Sequence, residues 1–263
     1  MTERHVAILT EGNTTPLLAK MAAGLLRYRE HDVCALIDSH AVGRDVRELL
    51  GVEARVPIVA RLEDLPEARV LVIGITPAGG RLPESWRPIV VAALERGLEV
   101  WSGLHVFLRE DDEFIAAAGR GGGRIRDLRR WEPRPVARAE GLDARCLRVL
   151  TVGQDVCVGK MCVALEVQRA LTARGRDARF LATGQTGIAI AGDGAPLDAL
   201  PADFVAGAAE RLVLDAQAPG RVLIGEGQGS LAHPSFSGVT LGLLITLGVW
   251  MVRRSLASPD HPE

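Results

Sequence analysis

CLRVLTVGQDVCVGK, residues 146–160, is the stretch that decides the fold. Cys146 to Val152 is largely apolar and partly β-branched, which predicts a strand. A glycine-bearing turn follows, and the apolar spacing from about Val158 to Ala173 predicts a helix. A strand, a glycine turn and a helix in that order form the corner that a phosphate-binding loop needs. Glycines let the backbone aim N–H groups at an anion, the helix N-terminus adds partial positive charge, and a lysine reaches the outer phosphates. Gly153, Asp155, Gly159, Lys160, Met161 and Cys162 are therefore the candidate anion-binding residues. The spacing departs from the common pattern in two ways. Five residues separate the glycines where four are usual. Met161 stands where Ser or Thr would supply a hydroxyl to Mg²⁺, and Cys162 is a poor ligand for a hard cation. A plain strand–turn–helix corner is the alternative reading.

The pattern extends in both directions. Downstream, Ala178–Ala182 and Arg221–Ile224 read as strands, with a helix over Pro201–Leu212 between them. Upstream, strands are expected at His5–Leu9, Val33–Ile37, Arg69–Ile75 and Glu99–Ser102, and helices at about Thr15–Tyr28 and Glu84–Arg96. This alternation is the signature of parallel α/β sheets. Between the halves, Gly119–Arg138 carries a triple glycine, two prolines, and seven arginines against two acids. It reads as a solvated connector, with Arg124–Leu128 as a possible last strand of the first domain. The expected organisation is an α/β domain over 1–128, a linker over 129–144 and a second domain over 145–263.

Two further loops end predicted strands. Glu226, Gly227, Gln228, Gly229 and Ser230 follow the strand at 221–224, with His233 just beyond. The carboxyl end of a parallel sheet faces the ligand crevice, so Glu226 and His233 are candidate catalytic acid–base groups. The competing reading makes Glu226 a loop cap and His233 an exposed turn residue. Thr183, Gln185 and Thr186, in a small-residue loop after 178–182, offer donors for a substrate carboxylate or phosphate; an unliganded polar loop is the alternative. In the first domain His105 is a candidate substrate residue or a structural histidine. The early turn Glu11-Gly12-Asn13-Thr14 lacks the three-glycine dinucleotide pattern.

Composition excludes several classes. The 263 residues are 48% hydrophobic and 24% charged, which fits a folded protein. A net charge of -2 and 4% aromatic content argue against nucleic acid as a partner. The apolar stretch Val239–Val252 is short for a membrane span and is expected as buried helix or strand. Cys34, Cys146, Cys157 and Cys162 show no metal-binding spacing. With no secretory signal in view they are expected to be reduced thiols of a cytoplasmic protein. Only Lys20 and Lys160 are lysines, against 29 arginines, so Lys160 is a position that has kept a compact ammonium.

GQDVCVGKM, FLATGQTGIAIAG, ADFVAGAAE and EGQGSLAHPSFSGVTLGLL, in that order, resemble a bacterial P-loop family long described as a domain of unknown function. Part of that family is assigned as D-glutamate N-acetyltransferase. LLAKMAAGL, GITPAGGRLPESW and the SGLH turn agree in the first domain, so the resemblance covers roughly residues 5–243. The second domain is also similar to dethiobiotin synthetases, whose phosphate loop has the longer glycine spacing. The resemblance implies a Rossmann-like first domain and a P-loop NTPase-like second domain. It implies a cytosolic enzyme that acetylates the amino group of D-glutamate from acetyl-CoA. It further implies a product passed to an N-acetyl-glutamate racemase; the protein is expected to be a homo-oligomer that acts on a small-molecule substrate. After Leu244 the sequence departs from the family, so the second domain is expected to be incomplete. An ATP–Mg-dependent ligase or NTPase and a non-catalytic nucleotide-binding protein are the alternatives.

Overall fold

The computed structural model describes residues 5–232 and 237–256. The chain divides into two compact units, Met1–Arg130 and Trp131–Glu263. In chain order the first unit runs β1 (Val6–Leu9), α1 (Lys20–Arg29), β2 (Val33–Ile37), α2 (Val46–Leu50), β3 (Ile58–Val59), β4 (Val70–Ile73), α3 (Arg87–Glu95), β5 (Glu99–Ser102), α4 (Asp112–Gly121) and β6 (Arg124–Asp127). Its six strands are all parallel, in the order β3-β2-β1-β4-β5-β6. β1 and β4 are buried at every position, which explains their unbroken apolar runs: helices cover both faces of a parallel sheet. β6, at the edge, instead buries only Ile125 and Asp127 of its four residues.

The second unit runs β7 (Leu147–Leu150), α5 (Lys160–Ala173), β8 (Ala178–Leu181), α6 (Gln185–Ala191), α7 (Ala202–Ala216), β9 (Val222–Gly225) and α8 (Ser237–Leu256). The sheet is parallel in the order β7-β9-β8, with the wholly buried β9 at its centre. Its core gathers Leu181, Leu223, Val205, Val213, Leu243 and Leu247 between the sheet, α7 and α8. Gly242 lets α8 approach α7 closely, because a Cβ there would lie 2.9 Å from Val205 Cγ1. The expected apolar segment from Val239 is thus helical. Among the described residues no helix is long and apolar enough to cross a membrane.

Three expectations need correction. The helix expected from Thr15 begins at Lys20. The Leu18 carbonyl accepts a hydrogen bond from Thr76 N at 2.9 Å, which takes it out of any helical ladder. The triple glycine is not part of a solvated connector: α4 ends at Gly121, and Gly122 closes it in the left-handed conformation at φ 72. Gly121 and Gly123 lie so close to α3 that a Cβ on either would run into the backbone of Glu95 or Leu94. Here glycine serves close approach between helix ends, a use that composition cannot distinguish from flexibility.

Nor is the segment after Arg130 free in solvent, although most of it is exposed. Glu210, buried in α7, accepts hydrogen bonds from Arg138 N at 2.9 Å and Ala139 N at 2.6 Å. Gln217 accepts from Asp143 N and donates to Gly141 O, each at 2.8 Å. Gly207 presses its backbone against Pro135. The segment is strapped along α7, through partners more than sixty residues away in sequence.

Candidate functional site

The three strand ends of the second unit converge on one cluster of loops. Beyond β7, the loop from Thr151 to Gly159 turns through two left-handed residues, Cys157 at φ 59 and Gly159 at φ 95. Gly159 is the N-terminal cap of α5, so Lys160 opens a fourteen-residue helix. The Lys160 stem runs between two glycines: a Cβ on Gly153 would lie 3.4 Å from Lys160 Cδ, and one on Gly227 3.1 Å from it. Its ammonium donates to the Asp155 carbonyl at 2.9 Å. Asp155 itself caps Val156 N with its carboxylate at 2.7 Å. Met161 and Cys162 lie half-buried in the first turn of α5.

The loop after β9 is tied to this one. Gly227 N donates to Thr151 Oγ1 at 3.1 Å, Leu231 N donates to Gly153 O at 3.0 Å, and the Ser230 hydroxyl donates to Gln154 O. Gly229 turns in the left-handed region at φ 70. Thr240, on α8, donates to Gln228 O at 2.7 Å. His233 lies outside the described residues.

Glu226, 5% exposed, is the hub of the third connection. Its Oε2 accepts from Thr183 N at 2.9 Å and Gly184 N at 3.2 Å. Thr183 Oγ1 donates to Glu226 O at 2.7 Å and accepts from Gln228 Nε2 at 3.1 Å. Burial pushes the Glu226 carboxyl up to about 7; the Thr183 and Gly184 N–H groups oppose the shift, the Asp198 charge adds to it, and the Gln228 side chain opposes it.

The loop expected to offer Thr183, Gln185 and Thr186 to a substrate is different in kind. α6 starts at Gln185. The two backbone donors just before it, Thr183 N and Gly184 N, already hold the protein's own carboxylate. Gly187 is required beside it, since a Cβ there would collide with Glu226 Oε2. Gln185 and Thr186 remain half-buried. Thr151, Gly184, Asp198 and Thr240 belong to this network without having been singled out in the sequence. Thr151, next to Gly153, carried a signal by position, whereas Asp198 carried none. Among the described residues no three or more His, Cys, Asp or Glu side chains gather as a metal site.

In the first unit His105 is exposed just past β5, and its N–H donates to Gly80 O at 3.0 Å. The strand order there places a switch point between β1 and β4, where dinucleotides bind in such sheets. The residues do not fit one. Asp38, at the end of β2, is 1% exposed. It accepts from Gly12 N and His40 N, both at 3.0 Å, and from the Thr14 hydroxyl at 2.5 Å. The carboxylate that would take ribose hydroxyls is thus already engaged, and the Gly12 N–H with it. Glu11, in the turn where a pyrophosphate would lie, is bonded by Ser39 N at 2.8 Å.

A parallel α/β unit followed in the chain by a second unit with a strand-end phosphate loop and a lysine at its helix start defines a two-domain P-loop protein. Family models match both halves: a domain of unknown function (DUF1611), Rossmann-like N-terminal domain, over residues 39–131, and its P-loop C-terminal domain over 135–248. A crystal structure of a DUF1611 family protein from Anabaena variabilis is 40% identical and superposes with a TM-score of 0.86, covering 92% of this chain and 71% of that one. The chain belongs to the DUF1611 family. It is 41% identical over 232 residues to a D-glutamate N-acetyltransferase of Tritonibacter scottomollicae, covering 87% of this chain. It is 41% identical over 177 residues to a D-glutamate N-acetyltransferase of a Pseudoalteromonas species, covering 67% of this chain. The chain spans 66% and 53% of the lengths of these two relatives.

Proposed function

We propose that the protein is an N-acetyltransferase that moves an acetyl group from acetyl-CoA to the amino group of D-glutamate. The observation that carries the reading is a buried carboxyl with a proton affinity near neutrality, Glu226, one residue from the glycine that flanks the Lys160 stem. The 41% identity to proteins named for this activity supplies the substrates. Lys160, the loop N–H groups and the N-terminus of α5 bind the phosphates of the donor. Glu226 takes up the proton that the attacking amine must lose, a role suited to a base poised near 7. The amine nitrogen bonds to the thioester carbon, the carbon–sulfur bond breaks, and the proton leaves with the thiol. Backbone donors of the converging loops stabilise the intermediate oxyanion.

The test is CoA-thiol release from acetyl-CoA with D-glutamate, L-glutamate and no acceptor, alongside phosphate release from ATP–Mg. Release that depends on D-glutamate, with a rate rising through about pH 7, supports the reading. No acceptor-dependent release, or ATP hydrolysis in its place, overturns it.

A further inference from the structure

The chain between β2 and β3 borders an open cavity of about 360 Å³ in the first unit. Its floor is apolar: Val46, at the start of α2, and Ala54 line it and are 1% and 2% exposed. Its rim is cationic. Arg44, Arg47 and Arg55 line it against one acid, Asp45. Both sides of the rim are held by hydrogen bonds. Asp45 caps α2 by accepting from Arg47 N at 2.8 Å. Arg55 N donates to Glu30 Oε1 at 2.7 Å, which ties down the segment ahead of β3.

The three guanidiniums differ in what they hold. Arg47 is engaged: its Nε donates to Asp45 Oδ2 at 3.3 Å, and its Nη1 reaches Glu53 Oε2 at 3.5 Å. The Asp45 carboxyl is kept below its ordinary range by the Arg47 N–H first, then by the Arg47 guanidinium and the charge of Arg55. It is an anion already committed to its neighbour. Arg44 and Arg55 are exposed, and among the described residues neither has a carboxylate within ion-pair distance of its guanidinium. Arginines elsewhere in the chain are matched. Arg87 holds Asp111 at 2.8 Å, and Arg145 and Arg221 hold Asp143 and Asp177, each at 2.9 Å. Like charges gathered around one cavity repel unless an anion comes between them. A planar guanidinium fork meets phosphate oxygens two at a time.

We infer that this cavity binds a small organic phosphomonoester: Arg44 and Arg55 grip the phosphate, and the Val46 and Ala54 floor receives the apolar part of the molecule. A bare ion leaves that floor unused, and the volume falls within the range of about 300–1,000 Å³ usual for small-molecule sites. A phosphomonoester carries about two negative charges at neutral pH, one for each uncommitted guanidinium. The site shares no residue with the Lys160 loop, so its failure leaves the acetyl-transfer reading untouched.

The test is calorimetry with phenyl phosphate on Lys160→Ala protein, in which the phosphate loop no longer competes, at one low salt concentration. Saturable binding in the millimolar range or tighter is expected. Arg44→Gln and Arg55→Gln, both exposed substitutions, weaken it by about fivefold each, and together they remove it. Urea unfolding shows whether each variant keeps its fold. Inorganic phosphate, which lacks the apolar body, and phenyl sulfate, which has the same body and a single charge, bind more weakly. Absence of saturable binding to folded protein, or an unchanged affinity in the double variant, overturns the site. Inorganic phosphate or phenyl sulfate binding as tightly as phenyl phosphate overturns the ligand class.

Discussion

Replacing Glu226 with glutamine is expected to change how stability depends on pH, by an amount that the burial of the carboxyl sets. The group is 5% exposed, and burial lifts it from 4.5 to about 7. At about 1.4 kcal/mol per pH unit, that lift is worth about 3 kcal/mol. The direction follows from proton linkage. Below pH 4.5 the carboxyl is protonated in folded and unfolded chains alike, and its burial is cheapest. Between 4.5 and about 7 the unfolded chain gives up the proton and the folded chain keeps it, so folding weakens as pH rises. Above about 7 both states are ionised and the loss is complete. Glutamine imitates the protonated acid: its carbonyl still accepts from Thr183 N and Gly184 N, and it never ionises.

The quantity to measure is therefore a difference. Urea unfolding of native and Glu226→Gln protein at half-unit steps from pH 4.5 to 8.5 cancels every other titrating group. The native protein should lose about 3 kcal/mol relative to the variant across that range, most of it between pH 5 and 7. A difference that stays flat means that Glu226 titrates near its ordinary value and that its proposed base role loses its physical basis. A difference of opposite sign means that the N–H donors outweigh burial, and that the carboxylate is a fixed anion.

Lys160→Ala is expected to weaken acetyl-CoA binding by tenfold or more, as loss of a charge-assisted contact to phosphate does; calorimetry at one fixed salt concentration checks it, and unchanged affinity refutes the loop assignment. Gly207→Ala would gain about 1 kcal/mol from helix propensity alone, yet its Cβ would strike the Pro135 carbonyl, so net destabilisation is expected. Faster tryptic cleavage after Arg138 would accompany it, and stabilisation would show that the strap yields at no cost. NAD⁺ and NADH should give no saturable binding by fluorescence or calorimetry, because Asp38 and Gly12 are already bonded to the protein itself. Micromolar binding that Asp38→Asn alters would refute that reading.

The fold was legible where one force dominated. VAIL at β1, VLVI at β4 and VLIG at β9 are buried at every position, and burial writes itself as unbroken apolar sequence. The phosphate loop was legible because its chemistry is local: glycines, lysine and helix start are neighbours in the chain. The contacts that gave no warning are non-local. The loop of Thr183, Gln185 and Thr186 was read as offering donors to a substrate carboxylate or phosphate, and Thr183 N does donate to a carboxylate, but to that of Glu226, forty-three residues on. Glycines 121 and 123 were read as part of a solvated connector and are helix packing; the sequence shows a missing side chain but not the backbone that fills its place. α6 went unseen because Gln185–Ala191 is only seven residues and starts without a side-chain cap.

The anion loop and the proton acceptor are joined by sterics and separated in charge, which can be tested with one variant. Gly227 is confined from two sides: a Cβ there would fall inside the Thr151 carbonyl and lie 3.1 Å from Lys160 Cδ. The residue before it is Glu226, so the backbone that shapes the lysine's channel also carries the carboxyl. The ammonium itself is turned to the Asp155 carbonyl, and the causes that set the Glu226 proton affinity are burial, backbone donors, Asp198 and Gln228. Lys160→Ala should therefore abolish most anion affinity and leave the midpoint of Glu226 in infrared difference titration where it is. If the midpoint rises instead, the ammonium was holding the carboxylate ionised, and the two groups form one charge pair. Binding of the phosphates would then draw the lysine away and make Glu226 a stronger proton acceptor at the moment the donor arrives. An unmoved midpoint excludes that coupling and leaves burial, opposed by the Thr183 and Gly184 donors, as what readies Glu226.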